Sequence, residues 1–311
     1  MIKYLHHEDI DFNRWDNCIK ASSNAYIYAY SWYLNIVAGE WDALIEDDYV
    51  SVFPLPYRKK YGIKYIYQPP FTQQLGLFST ALQDITKLHQ FILAIPNDFR
   101  IVEINLNKYY QAKKHKEYSL KENTTIELDL SSDFVSIQKK YSTNLKRNLK
   151  KANKRELQID LHIKPEDLIT LFKSNKGNEL NVYSSEDYNR LGHLMHMLLH
   201  KGKGEIQGVR SKENNLLAAA LFIHDQQRYI FLFSGLNNEG KAQAAMPFLI
   251  NSFIESKALS QKIFDFEGSN NPSLARFYQS FGGAQHLYYG LRYYRLTLPL
   301  KVMFLLKKKW Q

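Results

Sequence analysis

One cysteine in 311 residues, Cys18, has no second thiol to pair with, which excludes an internal disulfide, and no cysteine cluster exists to hold structural zinc. Long apolar runs are missing too. A bilayer span needs roughly 20 such residues, and the longest run, Leu216–Ile223, stops at His224 and Asp225. The opening stretch MIKYLHHEDIDF has no apolar segment of the secretory kind. An apolar share of 45% with 14% aromatics excludes a disordered chain. These absences predict a packed, soluble protein in a reducing, cytoplasmic setting, long enough for two domains of ordinary size.

Acidic residues are scarce where basic ones crowd. The formal charge is 41 − 31 = +10, and residues 139–155 supply eight basic side chains and no acidic one. Lys307–Lys309 add three more. A localised excess points to an anionic partner or, more blandly, to a solvated basic face. Within YSTNLKRNLKKANKRE (141–156), Leu145, Leu149 and Ala152 cluster within about 60° of a helix circumference. Lys146, Arg147, Lys150, Lys151, Lys154 and Arg155 cover the other side. The pattern predicts an amphipathic helix with a basic outer face, capped by Ser142 or Thr143 and joining two halves of the chain.

In the first half, Trp41–Ile45, Tyr49–Leu55, Tyr61–Tyr67, Ile101–Leu106 and Thr124–Leu130 read as strands, and Leu82–Ala94 as a helix. Asp133 is a fitting N-cap for a helix starting at Phe134. In the second half, Pro165–Leu171 and Ser185–His200 read as helices, and Glu205–Val209, Leu216–Ile223 and Tyr229–Phe233 as an antiparallel meander. The loop SGLNNEGKAQAA leads to a helix from about Gln243 to Ala258. A short strand Ile263–Phe266, a helix from Pro272 to Ser280 and a strand Leu287–Leu296 complete the order. No short-period repeat is present.

Two segments carry chemistry. In NNEGKA (Asn237–Ala242), a glycine-containing turn opens a helix, where unpaired N–H groups and the positive dipole end favour a phosphate. Gly240 would permit close approach and Lys241 adds charge; an ordinary turn is the plain alternative. In NNPSLARFYQSFGG (Asn270–Gly283), Tyr278 lies between Phe277 and Phe281, either as a reactive phenol or as core. Alternation along Phe264-Asp265-Phe266-Glu267 predicts both carboxylates on one face, where a pair raises one pKa and supplies a base.

The strand, strand, strand, loop, helix, strand, helix, strand order resembles the GNAT acyltransferase fold. NNEGKA resembles its pyrophosphate loop, and NNPSLARFYQSFGG its segment Asn-x-x-Ala-x-x-x-Tyr-x-x-x-Gly-Phe. The resemblance implies Tyr278 as general acid toward a departing thiolate, Asn271 near the donor, and backbone N–H groups near Phe233 and Ser234 for the donor arm and oxyanion. FDFEGS (264–269) with the basic stretch is similar, more narrowly, to the Fem-type ligases, which build peptidoglycan cross-bridges from aminoacyl-tRNA. Their Arg-Arg-Asn-Ile-Arg-Lys-Ala-Glu-Lys signature resembles Lys146–Lys154. PLPYRKKYG and QPPFTQQLG resemble their acceptor side, which would place Gln73 and Gln74 there beside Arg147, Lys150 and Lys151 as anion or acceptor contacts. Fem-type ligases often carry Phe-Lys where this chain has Phe277–Tyr278, and their long helical arm has no room in residues 141–160. Tyr instead suits a CoA thiolate as leaving group.

The remaining candidates read as structure. His193, His196 and His200 share a helical face opposite Leu191, Leu194, Met195 and Leu198, so they face solvent, and no metal is expected. YIYAYSWYL (Tyr26–Leu34) reads as core and KGKG (Lys201–Gly204) as a loop. LPLKVMFLLKKKW is basic and amphipathic and would touch an anionic membrane surface or pack back on the first half.

The expectation is therefore an α/β (α+β) chain of two GNAT-like domains in tandem, each a mixed, largely antiparallel sheet flanked by helices. A degenerate first domain spans 1–140, a donor-binding domain 141–296, and a basic C-terminal helix 297–311. The expected activity is N-acyl transfer from acyl-CoA to an amine of a small molecule, amino sugar or cell-envelope precursor, with Tyr278, Glu267 and Asp265 as catalytic groups. Two alternatives stay open: an aminoacyl-tRNA-dependent Fem-type ligase, and a non-catalytic binder of nucleic acid or a membrane surface.

Overall fold

Strand pairings join segments that lie far apart in the sequence. A computed structural model describes residues 1–81, 84–110, 115–177 and 183–296. They form two compact units, Met1–Asn123 with the described part of Leu287–Gln311, and Thr124–His286. These bounds differ from a single division after residue 140. Residues 127–129 pair with Ile263–Asp265 in the second unit, and residues 290–294 pair with Ile101–Asn105 in the first. Both pairings are non-local, so no composition shift marks them. The expected C-terminal helix at 297–311 and the start of the helix expected from Leu82 fall outside the described residues.

In the first unit, Ile2–Leu5, Trp41–Glu46, Ser51–Lys60 and Ile63–Ile66 pair antiparallel in succession, and Ile63–Ile66 meets Phe99–Asn105 in parallel. Its core is aromatic: Trp15, Tyr26, Tyr28, Tyr33 and Trp41 are fully buried, so Tyr26–Leu34 is packing, as its density of rings predicts.

The second unit carries the expected meander. Gly204–Arg210, Leu216–His224 and Arg228–Leu236 are antiparallel neighbours, and Ile263–Asp265 lies parallel to the last of them. That parallel pairing ends at Ile230 and Asp265, although the strand runs on to Leu236. The basic helix Thr143–Asn153 is capped by Ser142, whose hydroxyl accepts the Leu145 N–H at 3.2 Å. Leu145, Leu149 and Ala152 enter the core beside Phe222, Phe231, Phe253 and Phe264, as their spacing predicts. Burial of each leucine stabilises the docking by roughly 2 kcal/mol.

The helix expected from about Gln243 is preceded by a short helix where a loop is expected. Asn238–Gln243 is a short helix, Ala244 takes a left-handed φ of 59°, and Ala245–Lys257 is a second helix. Gly240 explains the kinked path. A Cβ there would lie 2.4 Å from the Leu217 carbonyl oxygen and 2.9 Å from Leu236, so only glycine lets the short helix lie on the strand.

Candidate functional site

A cleft of about 510 Å³ opens in the second unit beside the part of Arg228–Leu236 that runs past its parallel partner. Four segments wall it, two of them consecutive in sequence. Phe231, Ser234, Gly235 and Leu236 come from the strand, and Gly240, Lys241 and Ala242 from the short helix. Asn148 and Lys151 come from the basic helix, and Leu274, Phe277 and Tyr278 from the helix Pro272–Gln279. Phe172, Asn175, Met246 and Pro247 complete much of the rest. Lys151 and Lys241 have no carboxylate partner among the described residues, so the cleft carries uncompensated positive charge.

Tyr278 is the best-held group in this wall. Its ring stacks on Phe266 at 5.0 Å and meets Phe231 edge-on at 6.2 Å, which fixes its direction. Only 6% of the residue is exposed. Burial first, and then the charge of Glu267, push the phenol well above its ordinary pKa. The hydroxyl therefore stays protonated at any physiological pH.

Glu267 departs from the expected alternation. The strand ends at Asp265, and Glu267 and Gly268 take left-handed φ values of 52° and 54°. The turn is held by the Asp265 carboxylate, which accepts the Glu267 N–H at 3.0 Å and the Thr125 hydroxyl at 2.5 Å. Burial pushes the Glu267 carboxyl up to about 8. Asp265, by contrast, belongs to a closed ionic cluster. Arg228, 1% exposed, donates to Glu127 at 3.3 Å and lies 3.8 Å from Asp265. Burial and the neighbouring Glu127 charge raise Asp265, with Arg228 opposing them. The expected pair on one face is thus split: Glu267 acts on Tyr278, while Asp265 shapes the turn beneath it.

Several other expected contacts do different work. Phe233 stays out of the cleft wall and packs on Phe172 with ring centres 4.6 Å apart. Asn237 caps the short helix, accepting the Gly240 N–H at 2.7 Å and donating to the Leu216 carbonyl at 3.0 Å. The Gly240 N–H is thereby occupied, and the glycine serves packing. Asn271 caps the Tyr278 helix through the Ser273 and Leu274 N–H groups. Arg147 and Lys150 are exposed outside the cleft lining, unlike Lys151. Gln73 and Gln74 are buried in the first unit, where Gln74 accepts from the Tyr26 hydroxyl and the Lys108 N–H.

Asn148, Asn175, Phe172 and Phe231 were not singled out from sequence. Only Asn148 had a signal, because Asn144, Asn148 and Lys151 form one stripe at i, i+4 and i+7. His193, His196 and His200 are exposed, and His196 bonds Glu166 at 2.9 Å. Among the described residues no group of three His, Cys, Asp or Glu could hold a metal ion, and no helix is long and apolar enough to cross a membrane.

The path of the chain can be set against known proteins. Scans of protein-family models and of curated proteins find no match. Among solved structures, FemX superposes with a TM-score of 0.67 at 12% identity, over 97% of this chain and 99% of its own. The fold is that of the Fem-like GNAT group. An acetyltransferase from the GNAT family of Colwellia psychrerythraea gives 0.52 at 13% identity, over 94% and 99% of the two chains. L-PGS from Bacillus licheniformis gives 0.52 at 12%, over 88% and 90%.

Proposed function

We propose that this Fem-like protein is an N-acyltransferase that moves an acyl group from acyl-CoA to an amine acceptor such as an amino sugar or cell-envelope precursor. The observation that carries the reading is the cleft in which Tyr278, the open strand edge at Ser234 and Gly235, and the cationic pair Lys151 and Lys241 come together. A long, phosphorylated thioester matches that lining: cations for its phosphates, a strand edge for its amide-bearing arm, and a phenol for its sulfur.

In the proposed reaction the acceptor ammonium gives one proton to Glu267, whose raised pKa suits that exchange near neutral pH. The amine nitrogen bonds to the thioester carbon, the carbon–sulfur bond breaks, and Tyr278 donates its hydroxyl proton to the departing thiolate. The second N–H proton leaves to solvent water as the amide forms, and solvent returns a proton to Tyr278. The two groups are coupled. Ionised Glu267 opposes loss of the Tyr278 proton, and Glu267 that has accepted a proton no longer does, so the first transfer makes Tyr278 a better acid for the second.

A second reading, aminoacyl transfer from tRNA, is favoured by the basic helix at the cleft wall and by the likeness in fold to FemX. Calorimetric titration with coenzyme A and acetyl-CoA at two salt concentrations tests the choice. Saturable, salt-tolerant binding supports acyl-CoA. Absence of binding refutes it and turns attention to RNA, whose affinity would fall steeply with salt.

A further inference from the structure

Beside the cleft runs a second, shallower groove of about 350 Å³, between the basic helix and the Tyr278 helix. Asn144, Leu145 and Asn148 form one wall; Ser273, Arg276, Phe277 and Ser280 form the other. Groove and cleft share Asn148 and Phe277, so one ligand can occupy both.

The groove's chemistry is one-sided. Among the described residues no carboxylate lines it, and its one charged group is the Arg276 guanidinium. Among the described residues that group meets only the Ser273 hydroxyl, at a long 3.4 Å. The side-chain amides of Asn144 and Asn148 have no protein partner among the described residues. Two amides and a guanidinium therefore converge with their hydrogen-bonding capacity unspent, in a place where the neighbouring Lys146 and Arg147 add to the positive field. Phe277 adds a flat apolar side. Planar donors beside paired amides match a phosphate ester carrying hydroxyl or ring groups.

We propose that this groove is a phosphate subsite, which seats the phosphate-bearing end of the ligand whose reactive end lies in the cleft. The inference rests on the donor reading of the cleft given above. It gives the basic segment a specific job: the stripe Asn144, Asn148 and Lys151 faces the ligand, and the other lysines of the helix set the surrounding field. Arg276 is the specificity-determining cation, since it alone can bind phosphate through two parallel N–H groups there.

The test is calorimetric titration of the whole protein with coenzyme A and, separately, with inorganic pyrophosphate. The variants are Arg276→Ala, the isosteric Asn148→Asp, and Lys154→Ala as a charge-matched control outside the groove. Arg276, Asn144 and Lys154 are exposed and Asn148 is half-buried, so unchanged thermal melts are expected to certify folding. Loss of a charge-assisted contact predicts about tenfold weaker coenzyme A binding in Arg276→Ala and Asn148→Asp, and less than twofold in Lys154→Ala. Equal affinity in all four proteins overturns the groove and leaves the cleft reading standing. If the unaltered protein binds no coenzyme A, the donor reading fails, and pyrophosphate then decides the groove alone. A fall specific to Arg276→Ala and Asn148→Asp upholds it. Equal falls in all variants, or no pyrophosphate binding, overturn it.

Discussion

Replacing Glu267 by Gln removes a carboxyl that burial holds at a pKa of about 8, against an ordinary 4.5. Between those values the folded protein keeps a proton that the unfolded chain has released. Stability then falls as pH rises, by at most about 1.4 kcal/mol per pH unit, and the ceiling between pH 5 and 8 is about 4 kcal/mol. Glu267 keeps part of its surface in solvent, so water relieves much of that penalty. We expect roughly 1–2 kcal/mol of the ceiling to be expressed. Glu267→Gln should match the unaltered protein at pH 5 and exceed it by that amount at pH 8.5. Urea unfolding followed by far-ultraviolet circular dichroism at pH 5, 6.5 and 8.5 gives the difference between the two proteins, in which all other titrating groups cancel. A difference that is constant across this range, or that grows toward low pH, refutes the assignment of a raised carboxyl at this position. The same variant should remove the rising limb near pH 8 from an acyl-transfer pH profile, because the base that ionises there is gone.

Tyr278→Phe should lower turnover about a hundredfold with little change in KM, since only the proton donor is lost; thiol release under saturating donor measures it, and unchanged turnover across pH ends the role. Gly240→Ala should destabilise by about 1–3 kcal/mol, because its Cβ meets a carbonyl oxygen that cannot yield. Gly192→Ala, in a helix interior with its nearest contact at 3.8 Å, should instead stabilise by up to about 1 kcal/mol. Thermal melts of the two decide whether close approach distinguishes them. Arg228→Met leaves Glu127 and Asp265 buried without their cation and should cost about 3–5 kcal/mol at pH 7. The loss should shrink toward pH 5, where Asp265 with its raised pKa takes up a proton; urea titrations at both values read it.

Much of the local order was legible in advance. Asp133 caps its helix through the Ser136 N–H, Ser142 caps the basic helix, and Pro272 opens the Tyr278 helix after an Asn271 cap. Each is a contact within three residues, set by side-chain chemistry alone. The candidate site was legible only in part. Ser234, Gly240, Lys241, Ala242, Lys151 and Tyr278 do share one cleft. Phe233, Asn237, Asn271 and Asp265 lie beside those residues in sequence, yet they spend their groups on packing, caps and an ion cluster. Proximity along the chain does not reveal which neighbour keeps a free hydrogen-bonding group.

Glu267 marks the limit of strand-pattern reasoning. Alternation assumes extended backbone, and a left-handed φ two residues past the last paired position reverses where the carboxyl goes. The Arg228–Glu127 pair spans 101 residues, and the unit boundaries follow from strands that pair across still longer separations. The sequence by itself determined the basic helix and its buried stripe, the meander and the location of the charge, because periods and caps act over a few residues; the helices Phe12–Ala21 and Ser31–Val37 were not read from it. Tertiary structure decided which of Lys146–Arg155 line the cleft, which carboxylate burial raises and why residue 240 is glycine. Those outcomes depend on sheet register and burial, which only the assembled core fixes.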